Sequence, residues 1–220
     1  MPQTSESWKR LSPQERRAQL IAIAEELFQT RPYGEIGVAD VARAAGITHG
    51  LIYHYFESKE ALFIAVCAER AKELLEMSLP DPTLPLPEQA LQGIRGYLDF
   101  VEAHRVSYLN LFRGPNATQG EFLRICEETR FKIVDRFLLV MGIAALPLPA
   151  TRLSLRGYLG FAESVVLDWL EKQTVPRTAL ERMIGAIVGT ALRAGLSLDL
   201  DPLPPEVATM LDRYEAYLSG

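Results

Sequence analysis

The sequence predicts an all-α fold of about ten helices joined by short links. Apolar residues recur at spacings of three and four along the whole chain, whereas the alternating pattern of a strand is scarce. Capping residues and prolines stand where the helices should begin, and glycines and prolines stand where they should end. The length of 220 residues, 48% of them hydrophobic, suits one large domain or two small ones.

The first helix is predicted to begin after Ser12. This serine suits the N-cap, Pro13 the first helical position and Glu15 the third, which together form a capping box. Apolar residues then recur on one face as far as Phe28. The helix should stop near Arg31, because a proline and a glycine follow closely.

The next two helices are predicted to be short and to be joined by a tight turn. Val38 and Val41 begin an apolar stripe at i, i+3, i+4 and i+7. Gly46 suits the left-handed residue that ends a helix, and Thr48 can cap the helix that follows. Ser58 can cap a further helix that should run to about Met77.

The remainder of the chain is predicted to be helical after a break at Pro80–Pro87. A second capping box at Thr118 to Glu121 should open one of these later helices. The expected segments are Glu88–Ala103, His104–Phe112, Thr118–Met141, Thr151–Lys172, Arg177–Gly195 and a short helix after Pro205.

Several functional classes are disfavoured by composition. No run of about 18 apolar residues occurs, and the first residues lack the apolar core of a signal peptide. Cys67 and Cys126 lie far apart, with no CxxC spacing and no nearby histidine. We therefore expect a cytoplasmic protein with reduced thiols, no disulfide, no metal site and no cofactor.

The net charge of −5 argues, taken alone, against binding to nucleic acid. Residues 1–60 are not basic either, with seven Lys and Arg against eight Asp and Glu. However, no acidic residue occurs between Ala44 and Phe56. Four basic residues also cluster near the start of the chain: Lys9, Arg10, Arg16 and Arg17. The distribution of charge is therefore more informative than its sum.

Helix, glycine turn and helix match the spacing of a helix-turn-helix, whose second helix enters the major groove. Ile52 and Phe56 should point inward at i and i+4, which leaves four residues facing out: His49, Gly50, Tyr53 and His54. Phenol and imidazole groups are donors suited to phosphates or base edges. A corner of an ordinary helical bundle fits the periodicity equally well, but the absence of acids favours DNA.

The run VADVARAAGITHGLIYHYFESKEALF resembles the DNA-binding signature of the tetracycline-repressor (TetR) family of transcription regulators. The shared elements are an Ala-rich helix, the pattern G-[IV]-[ST]-x-G-x-[IL]-Y-x-[YH]-F and the pattern S-K-E-x-L. The resemblance covers about residues 15–66; beyond them it extends only to length and helix pattern. Leu51 departs from the family's frequent threonine, so it could contact a thymine methyl group but not hydrogen-bond to a base.

The resemblance implies DNA-binding roles for Thr48, His49, Gly50, Leu51, Tyr53, His54 and Lys59. Thr48, Tyr53 and Lys59 would grip phosphates, while the two histidines and the glycine would face the groove. The packing residues would be Val38, Val41, Ile47, Ile52, Tyr55 and Phe56. Residues 1–58 would form the helix-turn-helix domain and residues 59–220 the ligand-binding and dimerisation domain.

Two late helices carry small residues every three or four positions, a pattern that allows close approach between helices. These residues are Gly157, Gly160, Ser164, Gly185, Ala186 and Gly189. Both helices are apolar on more than one face, which predicts a two-fold four-helix interface, as the resemblance also implies. A homodimer would read two half-sites of a pseudo-palindromic DNA operator. A thick intramolecular core is the alternative.

Aromatic residues recur between residues 88 and 141, and the resemblance implies a small-molecule effector. The predicted ligand-binding residues are Tyr97, Phe100, His104, Tyr108, Phe112, Arg130, Phe131 and Glu163. The rings suit a hydrophobic or amphipathic molecule, such as a fatty-acyl or drug-like compound, and an acidic head group would suit Arg95, Arg105, Arg124 or Arg130. Asn110 is a further polar candidate. Glu163 should lie either in the pocket or on the dimer seam, paired with an arginine such as Arg156.

These expectations describe a dimeric transcriptional regulator, a repressor released from DNA by its effector. The helix near residues 60–77 would be the lever between effector and DNA. Two alternatives remain: an enzyme with a helical pocket, and an adaptor that binds only protein through a degenerate head. The absence of a His-x-x-x-His motif, a nucleophile elbow and a phosphate loop argues against an enzyme.

Overall fold

A computed structural model of the chain describes residues 11–31, 33–114 and 120–219. Ten α-helices occupy these residues, together with a 3-10 turn at Tyr33–Glu35 and no strand. The helices are α1 (Pro13–Thr30), α2 (Val38–Ala44), α3 (His49–Ile52), α4 (Lys59–Met77), α5 (Leu86–Ala103), α6 (Arg105–Arg113), α7 (Gly120–Val140), α8 (Pro149–Lys172), α9 (Arg177–Asp199) and α10 (Pro205–Ser219). The predicted all-α class is confirmed.

The chain divides into two compact units, Met1–Cys67 and Ala68–Gly220. The division falls inside α4, which is continuous as expected for residues 60–77. The predicted functional boundary between residues 58 and 59 stays a prediction. Lys9, Arg10 and the expected capping box at Thr118 lie outside the described residues.

In the first unit, α1 begins as predicted. The Glu15 N–H donates to Ser12 Oγ at 3.2 Å, and the Ser12 N–H donates to the Glu15 carboxylate at 2.7 Å. Apolar side chains of α1 to α4 and of the links between them form the core of the unit. Its buried members include Leu20, Ile21, Ala24, Phe28, Ile36, Val38 and Val41.

The turn between α2 and α3 has the predicted form, since Gly46 adopts φ +65°. Helix α3 is shorter than expected, because it ends at Ile52. The Phe56 N–H still donates to the Ile52 carbonyl at 3.0 Å, so the chain continues in tight turns. Ser58 then caps α4 as predicted, accepting the Ala61 N–H at 3.1 Å.

In the second unit, α9 continues past its predicted end at Gly195 to Asp199. Gly195 is needed for close packing, since an added Cβ would overlap the backbone of Thr151 at the start of α8. The Asp199 carboxylate then accepts backbone N–H groups from Ala150 at 3.0 Å and Thr151 at 2.7 Å. Glycine inside this helix therefore marks a helix crossing and not a terminus.

Cys67 is buried and Cys126 is half-buried, and neither forms a disulfide with another described residue. Over the described parts of the chain, no helix is long and apolar enough to cross a membrane. The same residues contain no group of three or more histidines, cysteines and carboxylates placed to hold a metal ion.

Candidate nucleic-acid interface and sensing site

A solvent-facing edge is formed by residues 48–54, called here the reading edge. Its exposed members are Thr48, His49, Gly50, Tyr53 and His54, whereas Leu51 is half-buried. Ile52 and Phe56 anchor the edge from beneath, with 1% and 4% of their surface exposed. The predicted division into outward donors and inward apolar residues is thus what the fold produces.

Two aromatic rings are fixed against one another on this edge. The His49 and Tyr53 rings meet edge-on with centroids 5.3 Å apart, and Tyr53 is 47% exposed. Pairing of this kind limits the rotamers of both side chains while leaving the phenol and imidazole polar atoms outward. The edge therefore presents hydrogen-bonding groups in restricted positions.

Thr48 occupies the N-cap position of α3, but its hydroxyl makes no capping hydrogen bond to that helix. The predicted side-chain cap is therefore wrong. The α3 turn is held by its backbone, where the Leu51 N–H donates to the Thr48 carbonyl at 3.0 Å. As a result, the exposed hydroxyl is not used by the helix and is open to an external acceptor.

Lys59 is held more firmly than the sequence suggests. Its ammonium donates to the Tyr33 carbonyl at 2.6 Å and lies 3.9 Å from the centroid of the Tyr33 ring. Partial burial lowers the pKa of Lys59. Since an ammonium has three donors, this arrangement positions the charge without using all of its hydrogen bonds.

The carboxylate of Asp40, on the helix before the reading edge, bonds to residues next to it in the chain. Asp40 accepts the Gly37 N–H at 2.8 Å and pairs with Arg43 at 3.2 Å, and the Gly37 bond lowers the pKa of this carboxyl. Among the described residues, no carboxylate hydrogen-bonds or ion-pairs with a side chain of the reading edge. The carboxylates of the described residues therefore do not neutralise its donors.

Arg17 is an addition that the resemblance did not supply. Its guanidinium lies 4.9 Å from the centroid of the Phe56 ring, and its side chain is exposed. The sequence signal was the cluster of basic residues in and before α1, but periodicity alone could not place any of them beside Phe56. Arg17 thus adds a positioned cation next to the reading edge.

The six small residues predicted for a dimer interface fall on different surfaces of the second unit. Gly157, Gly160 and Ser164 line an exposed face of α8 together with Leu153, which is 70% exposed. On α9, Ala186 is exposed, whereas Gly185 and Gly189 are buried. An added Cβ at Gly189 would lie 3.0 Å from the Tyr214 ring, so this glycine packs within the chain.

The predicted ligand-binding aromatics are also divided. Phe100 and Tyr108 are buried, and Tyr97 donates to or accepts from the Tyr108 hydroxyl at 2.9 Å. Phe112 packs on Tyr108 with ring centroids 4.7 Å apart. Phe131 is instead 47% exposed and lies beneath the Arg156 guanidinium at 4.6 Å. The structure therefore brings four of these rings together and leaves Phe131 at the surface.

The His104 ring packs on Phe100 with ring centroids 4.9 Å apart, and its nitrogen also makes polar contacts. Its Nε2 lies 2.9 Å from an Arg70 guanidinium nitrogen and 3.3 Å from the Glu73 carboxylate. Burial, followed by the Arg70 charge, lowers the pKa of His104. These contacts join α4 to the start of α6.

Glu163 pairs with Arg130 at 2.8 Å, so the suggestion that Arg156 is its partner is wrong. Arg130 also pairs with Glu127 at 2.6 Å, and Glu127 in turn pairs with Arg156. On α8, Arg156 lies seven residues before Glu163, whereas side chains that meet along a helix are three or four residues apart. The carboxylate of Glu127 on α7 pairs with Arg156 instead. These four side chains form a continuous chain of ion pairs between α7 and α8.

The other arginines considered for an acidic head group already have partners. Arg105 donates to the Leu170 carbonyl at 2.8 Å, and Arg95 pairs with Glu181 at 3.2 Å. Arg124 pairs with Glu121 and Glu128 on α7. Asn110 differs from them, because its buried amide nitrogen has no hydrogen-bond partner among the described residues.

Comparison with known proteins identifies the family to which this architecture belongs. Residues 20–66 match the model of bacterial regulatory proteins of the tetR family, and residues 86–189 match the tetracyclin repressor-like C-terminal domain. The chain belongs to the TetR family. The expectation from the signature at residues 38–63 is thus confirmed, and membership of a family of regulatory proteins favours a non-enzyme.

Individual TetR-family relatives are similar to this chain over only part of its length. The transcriptional activator FasR of Mycolicibacterium smegmatis is 25% identical over 136 residues, covering 58% of this chain and 62% of that protein. The regulator EthR of the same species is 40% identical over 57 residues, 26% of each chain. The chain thus matches less than two thirds of the length of these relatives.

A solved structure covers more of the chain. The tetR-family transcriptional regulator from Streptomyces coelicolor has a TM-score of 0.79 and 26% identity, with 94% of this chain and 90% of that chain covered. The fatty acid degradation regulator FadR from Bacillus halodurans has a TM-score of 0.62 at 19% identity and covers 84% of this chain and 97% of that chain. The second similarity concerns the fold alone.

Proposed function

We propose that this TetR-family chain is a transcriptional regulator that binds operator DNA through its reading edge. The observation that carries the proposal is the set of exposed donors at residues 48–54, which has buried apolar anchors below it and no carboxylate of a described residue bonded to it. Thr48, Tyr53 and Lys59 grip phosphates, and His49, Gly50 and His54 face the bases. Leu51, which is half-buried, offers its exposed part to a thymine methyl group.

We further propose that the protein acts as a homodimer. The exposed α8 face at Leu153, Gly157, Gly160 and Ser164 has an apolar counterpart on α9. That counterpart comprises Met183, Ala186, Ile187 and Leu198, the last of them 77% exposed. Two such pairs would bury their apolar surface in a four-helix interface. Gly185 and Gly189 are not part of this proposed interface, since both are buried and Gly189 packs against Tyr214 within the chain.

The effector is proposed to bind in the second unit, among the rings around Tyr97, Phe100, Tyr108 and Phe112. An effector that prefers a dimer with differently spaced reading edges lowers DNA affinity by the same factor by which DNA lowers effector affinity. Such coupling makes the chain a repressor released by its effector. Equal separation of the reading edges in free and effector-bound dimers, with DNA affinity lost, would contradict this mechanism.

A gel-shift titration against the DNA flanking the protein's own gene tests the proposal. We expect a specific footprint with pseudo-two-fold symmetry and an affinity that falls steeply as salt rises, because phosphate contacts release counterions. Analytical ultracentrifugation of the same sample should show a dimer. Binding that is insensitive to salt, or a stable monomer at micromolar concentration, would contradict the respective part of the proposal.

A further inference from the structure

The second unit contains a group of polar side chains whose chemistry restricts the effector more than its aromatic neighbours do. We call this group the polar cluster. Its members are the phenols Tyr97 and Tyr108 and the ion-pair chain Glu163–Arg130–Glu127–Arg156. Glu163 and Arg130 lie close enough to the phenol of Tyr97 to act on its pKa, which burial raises. Phenols and ion pairs therefore form one electrostatic unit.

The charges of the polar cluster cancel. Two arginines face two glutamates, and each charged group has at least one partner of opposite sign. Arg130 in particular contacts two carboxylates, Glu127 and Glu163. A third carboxylate brought by a ligand would meet two like charges and would have to displace one of them. The cluster thus lacks the uncompensated cation that an acidic head group requires.

Hydrogen-bond donors nevertheless remain. The Nε atom of Arg130 is buried and has no hydrogen-bond partner among the described residues. In the pair of phenols one hydroxyl donates to the other, so the second hydroxyl keeps its own hydrogen to donate. Buried donors without an acceptor are destabilising, and a ligand oxygen can satisfy them. The cluster therefore offers donors to an acceptor that carries no charge.

We propose that the polar cluster selects effectors with an uncharged hydrogen-bond-accepting head group, such as an ester, amide or ketone, attached to an apolar body. This inference rests on the proposed effector site and narrows it. It disfavours the free acidic head group considered from the sequence. It also disfavours an ammonium, because that group brings only donors to a site whose open positions are donors.

Three probes that share a ten-carbon chain test the inference on the full-length chain: methyl decanoate, sodium decanoate and decylamine. Trp169 is buried in the same hydrophobic cluster as Phe100 and Tyr108, so its fluorescence reports binding. Calorimetry provides the affinities. We expect the ester to bind at least about tenfold more tightly than either charged probe. Tyr97→Phe should weaken ester binding severalfold. Tyr214→Phe is the matched control, since that buried phenol lies in a different hydrophobic cluster, with Leu138 and Leu192, and should leave the affinity unchanged.

Glu163→Gln gives the decisive variant. It keeps the shape and an acceptor oxygen but leaves the polar cluster with one net positive charge. The ratio of decanoate to ester affinity should then rise at least about tenfold over wild type. An unchanged ratio would overturn the inference. So would decanoate binding to wild type as tightly as the ester, or no binding by any of the probes.

A gel shift of the wild-type protein, run in parallel without probes, reports on the proposed function. If wild type binds its operator fragment while the head-group preference fails, only the inference about the polar cluster is overturned. If wild type does not bind the operator fragment, the proposed regulator itself is wrong, whatever the probes do. The two failures are therefore distinguishable.

Discussion

The reading edge and the polar cluster are both short arrangements of polar side chains on helices, yet they are used in opposite ways. On the reading edge, His49, Tyr53 and His54 face solvent and form no ion pair with a described residue. In the polar cluster, Arg130 and Glu163 are half-buried, and their opposite charges are paired with each other. An exposed set of donors suits a large polyanion, whereas a compensated, half-buried set suits a small uncharged group.

The two regions also differ in what fixes them. Ile52 and Phe56 anchor the reading edge within a few residues along the chain, so local spacing determines which side chains point outward. The polar cluster depends on α5, α6, α7 and α8 coming together, with Tyr97 and Glu163 far apart in sequence. Local patterns therefore encode the first region, and tertiary packing creates the second.

The largest effect should come from removing an anchor of the reading edge. Ile52→Ala is expected to destabilise the first unit by about 2–5 kcal/mol, because it leaves a cavity under the edge. His49→Ala, three residues away on the exposed side, should stay within about 0.5 kcal/mol of wild type. Thermal unfolding followed by circular dichroism measures both. Equal destabilisation by the two variants would show that the edge is not divided into anchors and exposed donors.

A smaller effect is expected where α8 and α9 cross in the second unit. Gly195→Ala should cost about 1–3 kcal/mol, because the new Cβ meets the backbone of Thr151, which cannot move aside easily. Gly93→Ala on α5 is the control, since its added Cβ meets only the Ser78 carbonyl oxygen at 3.6 Å, an ordinary contact, and alanine favours a helix. Urea denaturation gives both free energies of unfolding. A loss of stability for the control alone would reverse the assignment of these two glycines.

Lys59→Ala tests whether the restrained ammonium contacts phosphate. We expect weaker binding to all DNA sequences alike and a salt dependence whose slope falls by about one. Substitutions of His49 or His54 should change sequence preference instead. Anisotropy titrations at several salt concentrations separate these effects. If affinity and slope were unchanged for Lys59→Ala, this lysine would contact Tyr33 but not phosphate.

The smallest effect concerns pH. Hydrogen bonding from Gly37 lowers the folded-state pKa of Asp40 below its usual value of about 3.9. The stabilisation is therefore present above that value and is lost as pH falls through the folded-state pKa. Asp40→Asn should lower stability at neutral pH and converge with wild type in acid. Acid titration of the melting temperature measures this, and parallel curves for both proteins would contradict it.

Asp199 provides the corresponding test in the second unit. Burial raises its pKa, but hydrogen bonds from Thr151 and Ala150 outweigh burial, so the net shift is downward. Asp199→Asn should therefore show the same sign of pH dependence as Asp40→Asn. A stability that rises for wild type as the solution becomes more acidic would contradict the assigned hydrogen bonds.

Much of the helical fold is readable from local chemistry. The capping box at Ser12, the left-handed Gly46 and the cap at Ser58 follow from neighbouring residues, and the structure has all three. Prediction failed where distant parts of the chain decide. Gly195 looked like a helix end, yet it allows a crossing with Thr151, and that contact leaves no local trace in the sequence.

The same limit applies to the candidate sites. The outward and inward residues of the reading edge were predictable, because a helical period sorts them. The ion-pair partner of Glu163 was not predictable. Arg130 lies on a different helix from Glu163, and no local pattern in the sequence favours Arg130 over Arg156 as the partner. Arg17 was visible as part of a basic cluster, but only folding places it over the ring of Phe56.

The most direct measurement compares Tyr53→Glu with Tyr53→Phe on one operator duplex. Tyr53 is exposed, so neither change should alter the melting temperature appreciably. If the reading edge contacts DNA, the new carboxylate should reduce affinity by at least about a hundredfold through repulsion of phosphate, and phenylalanine by much less. If Tyr53→Glu binds the duplex as tightly as wild type, residues 48–54 do not form the DNA-binding surface.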